Sequence, residues 1–181
     1  RDRDGTYKPF GNISFLETIA LLNGIVKPSE AETKQAYENQ KDFLKNYPDA
    51  DWAYNQLAVF LERKIISREE IETASRANML KRENPAYINR INVSQLFARA
   101  MNLSEESVGL IDVSDINDVP ASARGNIAAL VKAGVLHPRG REGKFEPYAA
   151  ITRAEMAKMV STANKYVKNN PISTKEITEK G

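Results

Sequence analysis

Two five-residue segments, Ile13–Glu17 and Ile151–Glu155, constrain the fold of this chain more than any other feature. In both, an isoleucine precedes a hydroxyl residue, and a glutamate stands three positions after the hydroxyl. The pairs are Ser14 with Glu17 and Thr152 with Glu155. This is the spacing of a capping box, in which the hydroxyl accepts from the N–H three residues on and the glutamate accepts from the hydroxyl residue's own N–H. Each segment therefore predicts the start of a helix.

The sequence before each capping box is repeated as well. Residues 1–9 (RDRDGTYKP) and 139–147 (RGREGKFEP) carry arginines, a glycine, an aromatic residue and a proline at matching positions. The shift of 138 positions continues into the capping boxes without a gap. Glycine permits a tight turn and proline ends an extended segment. Agreement at so many dissimilar residue types predicts an internal repeat.

A more diverged middle copy is predicted between these two. Trp52 and the apolar positions after it match the segment that begins at Ser122, 70 positions on. The motif position is assigned to Ile91–Gln95, with Asn92 and Gln95 as an amide version of the cap. Its offset to the last copy is shorter, so an insertion is predicted within about 67–90, where Ser67 opens a further helix to about Lys81.

Three more segments predict a mainly helical chain. Helices are expected from Pro28 to about Asn46, from Trp52 to Lys64 and from Ala121 to Gly134. In the helix after Thr152, apolar residues recur at intervals of three and four. The polar tail after Tyr166 is predicted to be a linker or a frayed end. The expected architecture is a set of short helix pairs joined by extended loops.

Composition excludes several classes of protein. Hydrophobic residues make up 41% and charged residues 28%, as in an ordinary globular protein, and the net charge of +2 is spread along the chain, which argues against a nucleic-acid partner. No apolar run approaches the ~18 residues of a membrane-spanning helix. The absence of cysteine excludes disulfides and thiolate sites. Since the chain starts with Arg1, we expect a mature form or an excised fragment.

These repeats resemble the S-layer homology (SLH) family. Ile151–Glu155 reads I-T-R-A-E, the family's signature, and Gly143–Pro147 is similar to its D-G-T-F-x-P segment. Ile116–Pro120 and Ala133–Leu136 are similar to the F-x-D-V and K-G-I-V segments, and Trp52 begins a W-A pair. The resemblance is strong over about 116–167 and looser elsewhere.

The resemblance implies a three-repeat, pseudo-trimeric spindle in one folded unit. The implied divisions are the second half of a first repeat (1–26), a second repeat with the insertion (27–103), a third repeat (104–167) and a tail (168–181). It implies a non-catalytic module outside the cell, at the bacterial cell wall or S-layer. Such a module tethers a surface protein to pyruvylated secondary cell-wall polysaccharide. The alternative is a degenerate module that serves protein–protein contacts, for example with other surface-layer proteins.

Arg153 is the first candidate for ligand contact. A pyruvyl ketal presents a carboxylate, which an arginine beside a helix N-terminus suits because the guanidinium pairs in a bidentate manner. Thr152 and Glu155 are further candidates, although capping alone explains both. Arg139, Arg141 and Lys144 form a basic turn that can help to bind an anionic polymer; the alternative is solvated loop charge. Phe15 and Val93 stand at the arginine position in the other copies, which implies a single intact site.

Trp52 is the last candidate, as a stacking surface for a sugar ring; burial in the core is the commoner fate of such a residue. His137 is the only histidine, so neither a metal site nor a histidine-based triad is expected. Nucleophile-elbow, phosphate-loop and zinc motifs are absent from the sequence. We expect no catalytic residue and no cofactor.

Overall fold

The structure, a computed structural model, describes residues 11–172 and is mainly helical, which confirms the predicted fold class. Residues 1–9, the start of the first repeat, and most of the predicted tail lie outside the described residues. The α-helices are α1 (Phe15–Val26), α2 (Glu30–Leu44), α3 (Tyr54–Glu62), α4 (Arg68–Arg76), α5 (Arg90–Ala100), α6 (Ala121–Lys132) and α7 (Arg153–Asn169). Short 3-10 helices cover Pro48–Ala53, Val108–Leu110 and Ile116–Asp118. None of the described helices is long and apolar enough to cross a membrane.

The described residues divide into two compact units. One contains residues 14–86 together with residues 171–172, and the other contains Tyr87–Asn170 together with residues 11–13. We call them the 14–86 unit and the 87–170 unit and describe each by itself. The division into sequence repeats and the three-pronged spindle stay predictions.

The two capping boxes predicted from a hydroxyl residue and a glutamate are present. At the start of α7, Glu155 N donates to Thr152 Oγ1 at 3.2 Å and Thr152 N donates to Glu155 Oε1 at 3.1 Å. Ser14 and Glu17 make the same pair of hydrogen bonds at the start of α1. A third capping box begins α4, between Ser67 and Glu70. Each satisfies backbone N–H groups that the first helical turn leaves without an intrahelical partner.

The 14–86 unit is built on apolar faces of α1, α2 and α3. Ile19 and Leu22 of α1, Leu44 of α2 and Leu57 of α3 are fully buried. A buried ion pair joins α2 to the C-terminal end of α3. Arg63, the C-cap of α3, donates through Nε and Nη2 to the two carboxylate oxygens of Glu32 in α2, each at 2.7 Å. The predicted helices of this unit are therefore present, but their ends differ.

Two of the predicted helix boundaries in this unit are wrong. Helix α2 ends at Leu44, within two residues of the predicted end, but α4 ends at Arg76, five residues before Lys81. Asn78 terminates α4 because its φ of 62° is left-handed, a conformation that asparagine tolerates and that ends helices. Trp52 precedes α3 and lies in the 3-10 helix Pro48–Ala53.

The predicted cap of the middle copy is also wrong, by three residues. Helix α5 begins at Arg90, and its N-cap is Asn89, whose Oδ1 accepts from Asn92 N at 2.9 Å. Asn92 is the donor of this bond and lies inside the helix. The correct match to Ile151-Thr152-Arg153 is therefore Ile88-Asn89-Arg90, and both isoleucines are fully buried.

The core of the 87–170 unit surrounds Phe145. Its ring is buried in a cluster with Ile91 of α5, with Ala123 and Ile127 of α6, and with Val113 and Val119 from the segment before α6. Met156, Met159 and Ala163 are the buried residues of α7, in agreement with the predicted periodicity. Six of the seven predicted site residues lie between Arg139 and Glu155, on either side of Phe145 and in the first turn of α7.

Candidate functional site

The predicted basic turn is a tight loop that leads towards α7. Arg141 N donates to Lys144 O at 2.7 Å, and Lys144 N donates back to Arg141 O at 3.0 Å. Gly140 and Gly143 have φ angles of 58° and 87°, in the left-handed region that favours glycine. The glycines allow the loop to reverse direction within a few residues.

Glu155 is the centre of the charged cluster at the start of α7. Besides capping the helix, its carboxylate accepts from Arg141 Nε at 2.7 Å and from Arg90 Nη1 at 2.8 Å, and a short contact joins Arg141 Nη2 to Oε1. Burial opposes ionisation, but the bonds from Arg141 and Thr152 and the charge of Arg90 outweigh it and lower the pKa of Glu155 to about 2. The carboxylate is therefore ionised at neutral pH.

Arg141 uses four of its five N–H donors within the protein. Apart from its bonds to Glu155, it donates through Nη1 to Glu146 Oε2 at 2.7 Å and through Nη2 to Ala150 O at 3.1 Å. These partners raise the pKa of Arg141, with the hydrogen bond to Glu155 as the largest cause. The guanidinium joins the basic turn to the first turn of α7 and has little capacity left for a ligand.

Arg90 is a site residue that the sequence interpretation missed. It is the first residue of α5, only 4% exposed, and it donates through Nε to Phe145 O at 2.7 Å. Its guanidinium also lies over the Phe145 ring, 5.2 Å from the centroid. Two arginines and two glutamates, Glu146 and Glu155, thus form a cluster whose formal charges cancel.

Asp115 fixes the loop from the other side. Its two carboxylate oxygens accept from Phe145 N at 2.8 Å and Glu146 N at 2.9 Å. Burial works against ionisation, but these backbone bonds prevail and lower the pKa of Asp115. The sequence interpretation did not single out Asp115, although it directly precedes the F-x-D-V-like segment.

Arg153 occupies the first position of α7 and is half-buried. Its N–H donates to Gly11 O at 2.9 Å, and next to it Ile13 N donates to Ile151 O at 3.1 Å. The Thr152 hydroxyl accepts from Glu155 N in the cap. Thr152 and Glu155 are thus both occupied by the fold, which agrees with the structural interpretation of these two residues.

Two cations of the basic turn face solvent. The Arg139 and Lys144 side chains are exposed, and neither makes a hydrogen bond or an ion pair with any residue in the range 11–172. Since Arg141 holds the turn against Glu155, these two cations stand on a loop that is fixed to the start of α7.

Trp52 lies in the other unit and is not a core residue. Its side chain is 51% exposed, so the expectation of burial is wrong. The 3-10 helix that carries it turns the indole to solvent, whereas its neighbours Ala50 and Ala53 are fully buried.

The three motif positions differ from the predicted pattern. Arg90, not Val93, corresponds to Arg153 in the middle copy, so two copies carry the arginine and one carries Phe15. Phe15 is 6% exposed and Arg90 is 4% exposed, so both are committed to the interior. The shared tripeptide pattern Ile-x-Arg was visible in the sequence and could have identified Arg90.

Comparison with known proteins supports the motif assignment in the last copy. Residues 114–157 match the family model of the S-layer homology domain. The match contains Asp115, the basic turn and the capping box of α7. No curated protein matches the chain. S-layer homology domains are non-catalytic modules that bind cell-wall polymers and anchor proteins to the cell wall. Residues 114–157 are therefore an S-layer homology domain, and the protein is associated with the cell surface or cell wall.

Proposed function

We propose that this protein tethers a surface or S-layer protein to the cell wall by binding a pyruvylated secondary cell-wall polysaccharide through Arg153. The observation that carries the proposal is the position of Arg153, at the first residue of α7 within the matched domain. A guanidinium at a helix N-terminus suits a carboxylate because side-chain donors and the positive end of the helix act on the same anion.

The basic turn supports binding of an anionic polymer. Arg139 and Lys144 are exposed and stand on a loop fixed to the start of α7. In this proposal Arg139 and Lys144 attract the polymer electrostatically from a distance. Arg141, Thr152 and Glu155 stabilise the first turn of α7. Exposed cations of this kind accelerate encounter with a polyanion and lose strength as salt is added.

Co-sedimentation with purified wall polysaccharide tests the proposal. The native polymer and a sample whose pyruvyl groups have been removed are each mixed with the wild type, with Arg153→Ala and with Lys158→Ala. Lys158 is an exposed residue of the same helix, so this variant is the matched control for loss of a positive charge. We expect binding of the native polymer by the wild type and by Lys158→Ala, and its loss in Arg153→Ala.

Two results contradict the proposal. One is equal binding of the native and the pyruvyl-free polymer by the wild type. The other is unchanged binding by Arg153→Ala when its helical content, measured by circular dichroism, matches that of the control. A double variant of Arg139 and Lys144 to alanine should reduce binding most strongly at low ionic strength.

Burial at the motif positions favours a second candidate function, in which the module keeps its fold for protein–protein contacts. Phe15 and Arg90 are both buried, so two of the three signature positions serve the interior. This candidate predicts capture of a purified surface-layer protein that Arg153→Ala leaves unchanged. Failure of the wild type to bind any wall polysaccharide, combined with such capture, selects it over the first.

A further inference from the structure

We propose that a groove in the 14–86 unit binds a neutral sugar residue, independently of Arg153. The groove has a volume of about 300 Å³ and lies between the 3-10 helix Pro48–Ala53 and the segment that follows α4. Ligand pockets begin at about this size, so the space suits one monosaccharide unit. The proposal goes beyond the anionic site because it concerns another unit and another ligand chemistry.

The inserted segment of the middle copy builds one wall of the groove. Ser75, Asn78 and Lys81 line it and all belong to the stretch 67–90, where the middle copy is longer than the last one. The opposite wall comes from Tyr47 and Asp49. The left-handed conformation of Asn78 ends α4 and turns the chain towards this wall.

The wall made by the insertion offers hydrogen-bonding groups that the fold does not use. The side chains of Ser75, Asn78 and Lys81 make no hydrogen bond to any residue that the structure describes. Together they provide a hydroxyl, an amide with both donors and an acceptor, and an ammonium group. Such a mixture complements the hydroxyl groups of a sugar, each of which both donates and accepts.

The groove also has an apolar side and no net charge. Pro48, Ala50 and Leu80 line it together with the Tyr47 ring, which is held against Phe43 with the centroids 5.3 Å apart. A pyranose has C–H faces that pack on surfaces of this kind. Among the lining side chains, the charges of Asp49 and Lys81 cancel, which favours a neutral ligand over an anion.

Trp52 extends this wall of the groove. In a 3-10 helix, residues three apart lie on the same side, one above the other, about 6 Å along the axis. Trp52 follows Asp49 at this spacing, and its indole is 51% exposed. An exposed indole next to a polar groove is a surface on which a second sugar ring can stack.

Saturation-transfer NMR with glucose and with N-acetylglucosamine tests the proposal on the whole chain. We expect transfer from the wild type to at least one of these sugars, and loss of transfer in Ser75→Tyr, which fills the groove. Thr73→Tyr is the matched control, because Thr73 is an exposed residue of α4 that does not line the groove. Trp52 is the only tryptophan of the chain, so a sugar-dependent change in its emission places the bound sugar beside the 3-10 helix.

The outcomes separate this site from the anionic one. Transfer that survives in Arg153→Ala but disappears in Ser75→Tyr supports the groove, whatever the result with pyruvylated polymer. Absence of transfer to both sugars in the wild type overturns the proposal, and so does undiminished transfer in a folded Ser75→Tyr. If Ser75→Tyr fails to fold, Lys81→Ala takes its place: a clear loss of transfer supports the groove and unchanged transfer overturns it.

Discussion

Arg90 Nη1 donates to Glu155 Oε2 at 2.8 Å, so the arginine of the middle motif is bound to the capping glutamate of the last one. Arg90 corresponds in position to Arg153, and Glu155 corresponds to Asn92. The same motif arginine is therefore a buried structural residue in one copy and a half-buried residue at a helix start in the other. Its role depends on the surroundings of each copy and cannot be read from the motif.

Loss of the Glu155 carboxylate should destabilise the protein. In Glu155→Ala, Arg90 keeps a buried charge without its carboxylate partner, and α7 loses one side of its capping box. We expect the free energy of unfolding to fall by about 3 kcal/mol. Urea denaturation measures the change. Glu69→Ala, which removes an exposed carboxylate from the first turn of α4, should change it by less than about 0.5 kcal/mol. Equal effects of the two variants would falsify the structural role of Glu155.

The same carboxylate should make stability depend on pH below about 4.5. The pKa of Glu155 is lowered from 4.5 to about 2 in the folded protein. The ionised carboxylate therefore makes its full contribution to the free energy of unfolding above pH 4.5, and this contribution is lost as the pH falls towards 2. Glu155→Gln removes the titration and keeps the shape of the side chain. We expect the gap in urea midpoint between wild type and Glu155→Gln to shrink over this pH range. A gap that stays constant from pH 6 to pH 3 would contradict the assignment.

The cap of α5 gives a test that separates two neighbouring asparagines. Asn89 Oδ1 accepts from Asn92 N, so Asn89→Ala removes the cap and should cost about 1 kcal/mol of stability. Asn92 is exposed and uses its backbone, which alanine retains, so Asn92→Ala should be nearly neutral. Thermal unfolding of both variants provides the comparison. A larger loss of stability in Asn92→Ala than in Asn89→Ala would contradict the assignment of Asn89 and favour Asn92 as the N-cap, as the repeats predict.

Local patterns in the sequence predicted much of the helical structure. The capping boxes at Ser14 and Thr152 fix helix starts through bonds between residues three apart, so local spacing was sufficient. Helix ends were less predictable. The end of α4 depends on the left-handed conformation of Asn78, which neighbouring residues do not specify by a simple pattern.

The candidate site was predictable only in part, because its contacts link distant residues. The capping box of Thr152 and Glu155 is confirmed, but the sequence predicted none of the bonds that Arg141 makes within the protein. Its bonds to Glu155 and Ala150 come from the folding of the turn back on α7. The pair of Arg90 and Glu155 spans 65 positions, beyond the reach of any local pattern.

The basic turn depends on Gly140, and a substitution there should disturb both stability and the site. Its φ is 58°, and a Cβ at this position would lie 2.3 Å from the backbone oxygen of Lys144, so Gly140→Ala forces the turn open. We expect a loss of about 2 kcal/mol in the free energy of unfolding. Arg141 N donates to that same oxygen, so its guanidinium should also shift relative to Glu155. The control is Gly24→Ala in α1, where a Cβ meets nothing within 4 Å; removal of a helical glycine should stabilise by about 0.5–1 kcal/mol. Chemical denaturation compares the two variants, and a neutral or stabilising Gly140→Ala would show that the turn does not need glycine.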